Sequence, residues 1–313
     1  MTAEIKKGWS LDDIQSQKGK VILVTGATDG LGREVAMALG GKGATVIVAG
    51  RNRKRGEEVA GKIPSGSFEP LDLADLDDVR EFSERILEKY PRLDVLIANA
   101  GISLPPTLQK SPEGFELQMA VNYFGHFVLT AALFPALSAA SGRVVTVASL
   151  AATRGKFDID DLNGEKGYAP MKFYSLSKLA VILFAQELDR RSKDNRWNIT
   201  ALSAHPGFSR TNLGHSGPQI GSKGCINWVG LSTAILGPLF GQSAANGALP
   251  ILYAATAPEA VGGIYVGPGG AGQMKGSPKV VELPEAAKAL KDAQLLWNLT
   301  ERLTGASFPP PLS

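Results

Sequence analysis

The chain has 313 residues, 44% of them hydrophobic and 7% aromatic, which is enough apolar material for one large buried core. A formal charge of +3 is small for this length and gives no reason to expect nucleic acid or an anionic membrane surface as a partner. The single cysteine, Cys225, excludes an internal disulfide, and His126, His205 and His215 carry no metal-ligating spacing, so no metal is expected.

The first 17 residues are polar and lack the apolar core of a signal peptide, which predicts a cytoplasmic protein with a short N-terminal extension. Short β-branched runs then alternate with helical patterns at 21–25, 44–49, 66–71, 94–98, 143–148, 199–203 and 263–266. Continuous apolar strands of this kind are buried on both faces. They predict an α/β, doubly wound Rossmann fold: one domain with a parallel sheet of about seven strands and helices on both faces. The stretch 208–245, rich in glycine and apolar residues, follows a strand end and reads as a small substrate-lid insertion, with a packing helix or a subunit contact as the competing readings. Its apolar part, 225–240, is shorter than the roughly 20 residues that span a bilayer and contains Asn227 and Pro238, so no transmembrane segment is expected. Helical spacing over 284–305 predicts a covering helix, and Pro309, Pro310 and Pro311 prevent its continuation.

The first strand runs directly into Thr25-Gly26-Ala27-Thr28-Asp29-Gly30-Leu31-Gly32, and a helical pattern follows. Glycines let the backbone turn sharply and approach a pyrophosphate, while the following helix offers free amides and the positive end of its dipole. A glycine triplet alone is weak; a strand before it and a helix after it make the nucleotide reading specific. At the end of the second strand, a carboxylate would bind a ribose 2′-hydroxyl and a cation would accept a 2′-phosphate. Here Gly50-Arg51-Asn52-Arg53-Lys54-Arg55 places a guanidinium there and no carboxylate, which favours NADP(H) and leaves NAD(H) open.

Tyr174 and Lys178 stand one helical turn apart at the head of a long apolar helical pattern, and Ser149 ends the strand run at 143–148. A phenol titrates near 10, so it exchanges a proton near neutral pH when a neighbouring cation stabilises its ionised form; Lys178 is placed to do so. Tyr168 and Lys172 share the same spacing, but Pro170 between them opposes a continuous helical turn. The expected chemistry is proton transfer by Tyr174, with Ser149 hydrogen-bonding the reacting oxygen and Lys178 supporting the phenolate.

These motifs resemble the short-chain dehydrogenase/reductase family. Within it the chain is similar to the retinol-dehydrogenase-like and WW-domain-oxidoreductase-like branch, which has actinobacterial members. The likeness runs from Trp9-Ser10-Leu11-Asp12-Asp13-Ile14 through Phe157-Asp158-Ile159-Asp160-Asp161-Leu162-Asn163-Gly164-Glu165-Lys166 to Leu296-Trp297-Asn298-Leu299-Thr300-Glu301-Arg302-Leu303-Thr304-Gly305. The resemblance implies that Asn99-Ala100-Gly101 backs the cofactor and that Asp72-Leu73 lies on its adenine side. It implies that Pro206-Gly207-Phe208, with Thr211, contacts the nicotinamide end. It also implies that Asn122 joins Lys178 to solvent through water, and that Lys178 holds the nicotinamide ribose. Three positions depart from the usual pattern: Ala148 stands where a second serine is common, Leu176 replaces a polar residue, and Asp29 enters the glycine loop. A carboxylate there opposes a phosphate unless it caps the helix or faces away.

The expectation is an NADP(H)-dependent oxidoreductase interconverting a small hydrophobic aldehyde or ketone, retinal-, steroid- or lipid-like, and its alcohol. The hydrophobic preference follows from the apolar residues of 225–240 together with the family likeness. Two alternatives stay open: a catalytically silent NADP(H)-binding sensor or scaffold, and a reductase of C=C bonds. The resemblance implies a homodimer or tetramer, while a covering tail is equally compatible with a monomer.

Overall fold

A computed structural model describes residues 5–208 and 242–309. The uninterrupted apolar runs form β1 (Val21–Thr25), β2 (Thr45–Gly50), β3 (Gly66–Pro70), β4 (Val95–Ala98), β5 (Arg143–Val147), β6 (Thr200–Ala204) and β7 (Tyr265–Pro268). They lie parallel in the order β3-β2-β1-β4-β5-β6-β7, the doubly wound arrangement expected of the pattern. The expected seven strands are joined by an eighth, β8 (Pro278–Val281), which runs antiparallel to β7 with Tyr265 opposite Val281 and Pro268 opposite Pro278. A short, partly exposed edge strand that opens on proline and carries lysine has no apolar run to announce it, because only one flank is hydrogen-bonded.

The helices are α1 (Gly30–Gly41), α2 (Arg53–Ala60), α3 (Leu76–Lys89), α4 (Leu117–Met119), α5 (Gly125–Ala132), α6 (Phe134–Ala139), α7 (Pro170–Asn195), α8 (Ala244–Thr256) and α9 (Leu290–Thr304). A π-turn, Ala120–Phe124, joins α4 to α5. Successive strand residues point to opposite faces, so each strand feeds two cores. Leu23, Leu96 and Val144 meet Phe82 of α3, Phe127 of α5 and Leu183 of α7 on one face. Ile22, Val24 and Val145 meet Val35 of α1, Val59 of α2 and Ile251 of α8 on the other.

The tail helix begins at Leu290, six residues later than the spacing suggested, because 284–289 is taken up by Pro284 and the 3-10 turn Glu285–Lys288. Its Trp297, 1% exposed, packs on Phe127, Phe184 and Phe308, and Gly305 ends the helix at φ +67°. At the other end of the chain Trp9 is buried edge-on against Tyr253 of α8. Of the expected insertion at 208–245, residues 209–241, with Thr211 and the apolar stretch 225–240, lie outside the described residues, and Ser243 already caps α8. Among the described residues no helix is long and apolar enough to cross a membrane.

β1 pairs with both β2 and β4, so the crossovers on its two sides run in opposite directions. Loops leaving the C-terminal strand ends diverge at that point and open a crevice between them.

Candidate active site

The crevice is a cleft of about 900 Å³. The glycine loop forms its middle: Gly26, Thr28, Asp29, Gly30, Leu31 and Gly32 all line it. Gly26 has φ +65°, and a Cβ there would lie 2.8 Å from Ala100 Cα. A Cβ on Gly32 would lie 2.4 Å from Gly26 O and 2.5 Å from Asn99 Nδ2. The tight loop therefore accepts no side chain at either position, and α1 begins at the cleft, with Gly30 N taken by the Asp29 cap and the amides that follow it left to a ligand. That cradle, with its open helix N-terminus, fits the pyrophosphate of a dinucleotide.

One end of the cleft is basic and carries Arg51, Asn52, Asp72 and Leu73. Asn52 is used locally, its Oδ1 accepting from Arg55 N at 3.0 Å to cap α2. Arg53 pairs with Glu57 and Arg55 with Asp29, whereas Arg51 forms no ion pair among the described residues. Asp72 Oδ1 accepts from Ala74 N, closing the turn after β3. Asp29 caps α1 by accepting from Gly30 N at 2.7 Å, so the carboxylate does take the capping role.

The other end gathers Asn99, Ala100, Gly101, Ser149, Tyr174 and Lys178, with Pro206, Gly207 and Phe208 on the far wall. A buried hub organises the floor. Thr25 Oγ1 accepts from Asn99 N and Ala100 N, both at 3.0 Å, and lies 2.8 Å from His126 Nε2. His126 Nδ1 lies 3.0 Å from the Asn122 carbonyl, which can only accept, so the ring is the Nδ1–H tautomer and Nε2 accepts from Thr25. Burial lowers His126 to about 4, which keeps this ring neutral. Asn122 stands one layer behind the cleft, where its Nδ2 donates to Ile102 O and Ser177 Oγ and its Oδ1 accepts from Ile102 N. It and Lys178 flank Gly101, whose Cβ would lie 3.0 Å from Asn122 Oδ1 and 3.3 Å from Lys178 Nζ.

Lys178 is 4% exposed and donates to the Val147 carbonyl at 2.9 Å; burial pushes it down to about 8. Tyr174 is half-buried. Removal from water raises its phenol above the ordinary value, and the hydrogen bond with Ser149 works in the opposite direction. The spacing of Tyr174 and Lys178 suggested a phenol depressed by the ammonium; here burial dominates and the ammonium is directed at Val147 O. At neutral pH the phenol therefore holds its proton as an acid should, and Lys178 still carries its charge. The other Tyr-x-x-x-Lys pair is occupied elsewhere: Tyr168 donates to Pro105 O, Lys172 pairs with Asp161, and Pro170 is the first residue of α7.

Residues not singled out from sequence also line the cleft, among them Arg55, Ser103, Leu104, Val121 and Met171. Leu104 has φ +59° and is held by Gln118, which accepts its amide at 2.8 Å. Arg55 lay in the basic run but one turn inside α2, and Ser103 and Leu104 directly follow the Asn99 motif, so position along the chain was the available signal.

A family model described as short chain dehydrogenase matches residues 20–219. Retinol dehydrogenase 14 of Homo sapiens is 39% identical over 308 residues, covering 92% of this chain and 87% of its own length. Polyprenol dehydrogenase of Mus musculus is 39% identical over 306 residues, covering 93% of this chain and 85% of its own. A crystal structure of an uncharacterized protein from Mycobacterium paratuberculosis superposes with a TM-score of 0.79 at 36% identity, covering 97% of this chain and 100% of that one. With the nucleotide cradle, the sheet order and the Ser149, Tyr174 and Lys178 grouping already in place, these similarities establish that the chain belongs to the short-chain dehydrogenase/reductase family, oxidoreductases acting on CH–OH and C=O groups.

Proposed function

We propose that the protein is an NADP(H)-dependent oxidoreductase that interconverts a hydrophobic aldehyde or ketone and its alcohol, with Tyr174 as general acid and base. One observation carries the reading. Ser149, Tyr174 and the buried Lys178 line one end of the cleft, Arg51 lines the other, and the glycine cradle lies between.

A bound nicotinamide supplies or accepts the hydride. Ser149 and Tyr174 both offer O–H donors to a carbonyl oxygen that gains negative charge as it is reduced, and Tyr174 delivers its proton to that oxygen. The resulting phenolate is stabilised by the Lys178 ammonium, which retains its proton below about 8. In the oxidative direction the same oxygen takes the alcohol proton. Asn122 holds the Ile102 backbone and, through Ser177, the helix that carries Tyr174 and Lys178. Arg51, unpaired among the described residues at the end of β2, supports the choice of NADP(H) over NAD(H).

The walls near Tyr174 include Leu104, Val121, Met171 and Phe208, with Met171 45% exposed, which suits an apolar substrate. The names of the relatives, retinol and polyprenol dehydrogenase, point to the same class. The test is NADPH oxidation with lipophilic aldehydes, ketones and steroids against polyols and charged sugars, for wild type and Tyr174→Phe. Wild type should turn over lipophilic carbonyls, and the variant should lose about 10²- to 10⁴-fold in turnover while still binding NADPH. A preference for polyols would refute the substrate class. A variant as active as wild type would refute the role of Tyr174.

A further inference from the structure

The basic end of the cleft holds a carboxylate that its chemistry does not require. Asp29 sits in the glycine loop with both oxygens engaged. Oδ1 accepts from Gly30 N at 2.7 Å, and Oδ2 accepts from Arg55 Nη1 at 3.2 Å. Capping α1 needs a side-chain acceptor but no charge, and serine or asparagine supplies one equally well. The charge of Asp29 is therefore surplus to the cap. Its partner belongs to a different element, 26 residues along the chain, and lines the same cleft as Arg51 and Asn52.

We propose that Asp29 sets the balance between NADP(H) and NAD(H): its carboxylate holds the Arg55 guanidinium across the basic end of the cleft and withholds part of that cation's charge from a ribose 2′-phosphate. The proposal rests on the NADP(H) reading above and deepens it. A 2′-phosphate brings about two negative charges and strong acceptors to this end, whereas a 2′-hydroxyl brings none. Arg51 is available to such a phosphate, while Arg55 reaches it only in competition with Asp29 or with Asp29 as a close like-charged neighbour. Both effects weaken NADPH and leave a ribose hydroxyl unaffected, so Asp29 narrows a preference that Arg51 and Arg55 would otherwise make steep. The pair is partly exposed, with 40% of the Asp29 side chain and 58% of the Arg55 side chain open to solvent. Its influence is accordingly modest and screened by salt.

The experiment measures dissociation constants of NADPH and NADH by fluorescence titration of the full chain. The proteins are wild type, Asp29→Asn, Asp29→Ser, Arg51→Gln, Arg55→Gln and the Asp29→Asn/Arg55→Gln double variant, each checked for an unchanged melting profile. Both substitutions at Asp29 keep a capping oxygen and remove the charge. Each should shift the NADPH-to-NADH affinity ratio toward NADPH by about two- to fivefold, the scale of an exposed ion pair. The shift should shrink at about 0.5 M salt, where the Debye length falls to a few ångströms, and should be smaller when Arg55 is already glutamine, because only the direct repulsion between Asp29 and the phosphate then remains. If Arg51→Gln and Arg55→Gln lower the ratio but neither Asp29 variant raises it, the role of Asp29 is overturned while the NADP(H) reading stands. If the ratio responds to neither arginine, the NADP(H) reading fails, and the proposal with it.

Discussion

Replacing Lys178 with methionine should stabilise the fold while removing a residue the proposed chemistry needs. The ammonium is 4% exposed, and its pKa falls from the ordinary 10.5 to about 8 because burial disfavours the charged form. At about 1.4 kcal/mol per tenfold change, that displacement corresponds to roughly 3 kcal/mol of destabilisation at pH 7, where the group is charged in both folded and unfolded chains. Methionine has the same unbranched reach and no charge, but it leaves the Val147 carbonyl without its donor, a loss of about 1 kcal/mol. The net gain is on the order of 2 kcal/mol, or about 4 °C in melting temperature for a domain of this size. The pH dependence has a definite sign. Between about 8 and 10.5 the unfolded chain binds more protons than the folded one, so wild-type stability rises with pH across that window and the advantage of Lys178→Met narrows. Thermal melts of both proteins from pH 7 to pH 10, without nucleotide, measure the gap. A variant that melts at or below wild type at pH 7, or a gap that does not change with pH, would refute the reasoning.

The neutral, buried His126 gives an acid-side counterpart. With its pKa lowered to about 4, the unfolded chain takes up a proton first as pH falls below 6.5, so stability is lost on acidification; His126→Asn should show a shallower fall in melting temperature between pH 7 and pH 5, and superimposable curves would count against it. Gly32→Ala would press a methyl to within 2.4 Å of the Gly26 carbonyl, destabilise the fold by about 1–3 kcal/mol and abolish dinucleotide binding; unaltered NADPH titration would disprove the cradle. Trp297→Ala removes the side chain on which Phe127, Phe184, Phe308 and the Arg191 guanidinium converge, and urea unfolding should report a loss of about 3–5 kcal/mol.

Periodicity and local chemistry decided a large part of this protein before any coordinates. Apolar runs long enough to be covered on two faces require a parallel sheet with helices on each side, and the structure has that doubly wound sheet. The glycine loop was legible because strand, turn and helix are consecutive in the chain. The Tyr174 and Lys178 pair was separable from its decoy because a proline at 170 is well placed as the first residue of a helix and opposes a helical turn running through it from Tyr168. What the one-dimensional pattern could not carry was anything that depends on which distant groups meet, or on how much water remains once they do. β8 is a half-bonded edge strand whose partner lies across a glycine-rich loop, so it left no apolar signature. The Thr25, Asn99 and His126 hub joins residues up to 101 positions apart, and the Asp29–Arg55 pair joins two helix starts that only sheet order brings together. The direction of the Tyr174 shift was likewise a tertiary matter: spacing put a cation nearby, but packing withdrew the phenol from water and turned the ammonium toward Val147, and desolvation outweighed the hydrogen bond with Ser149.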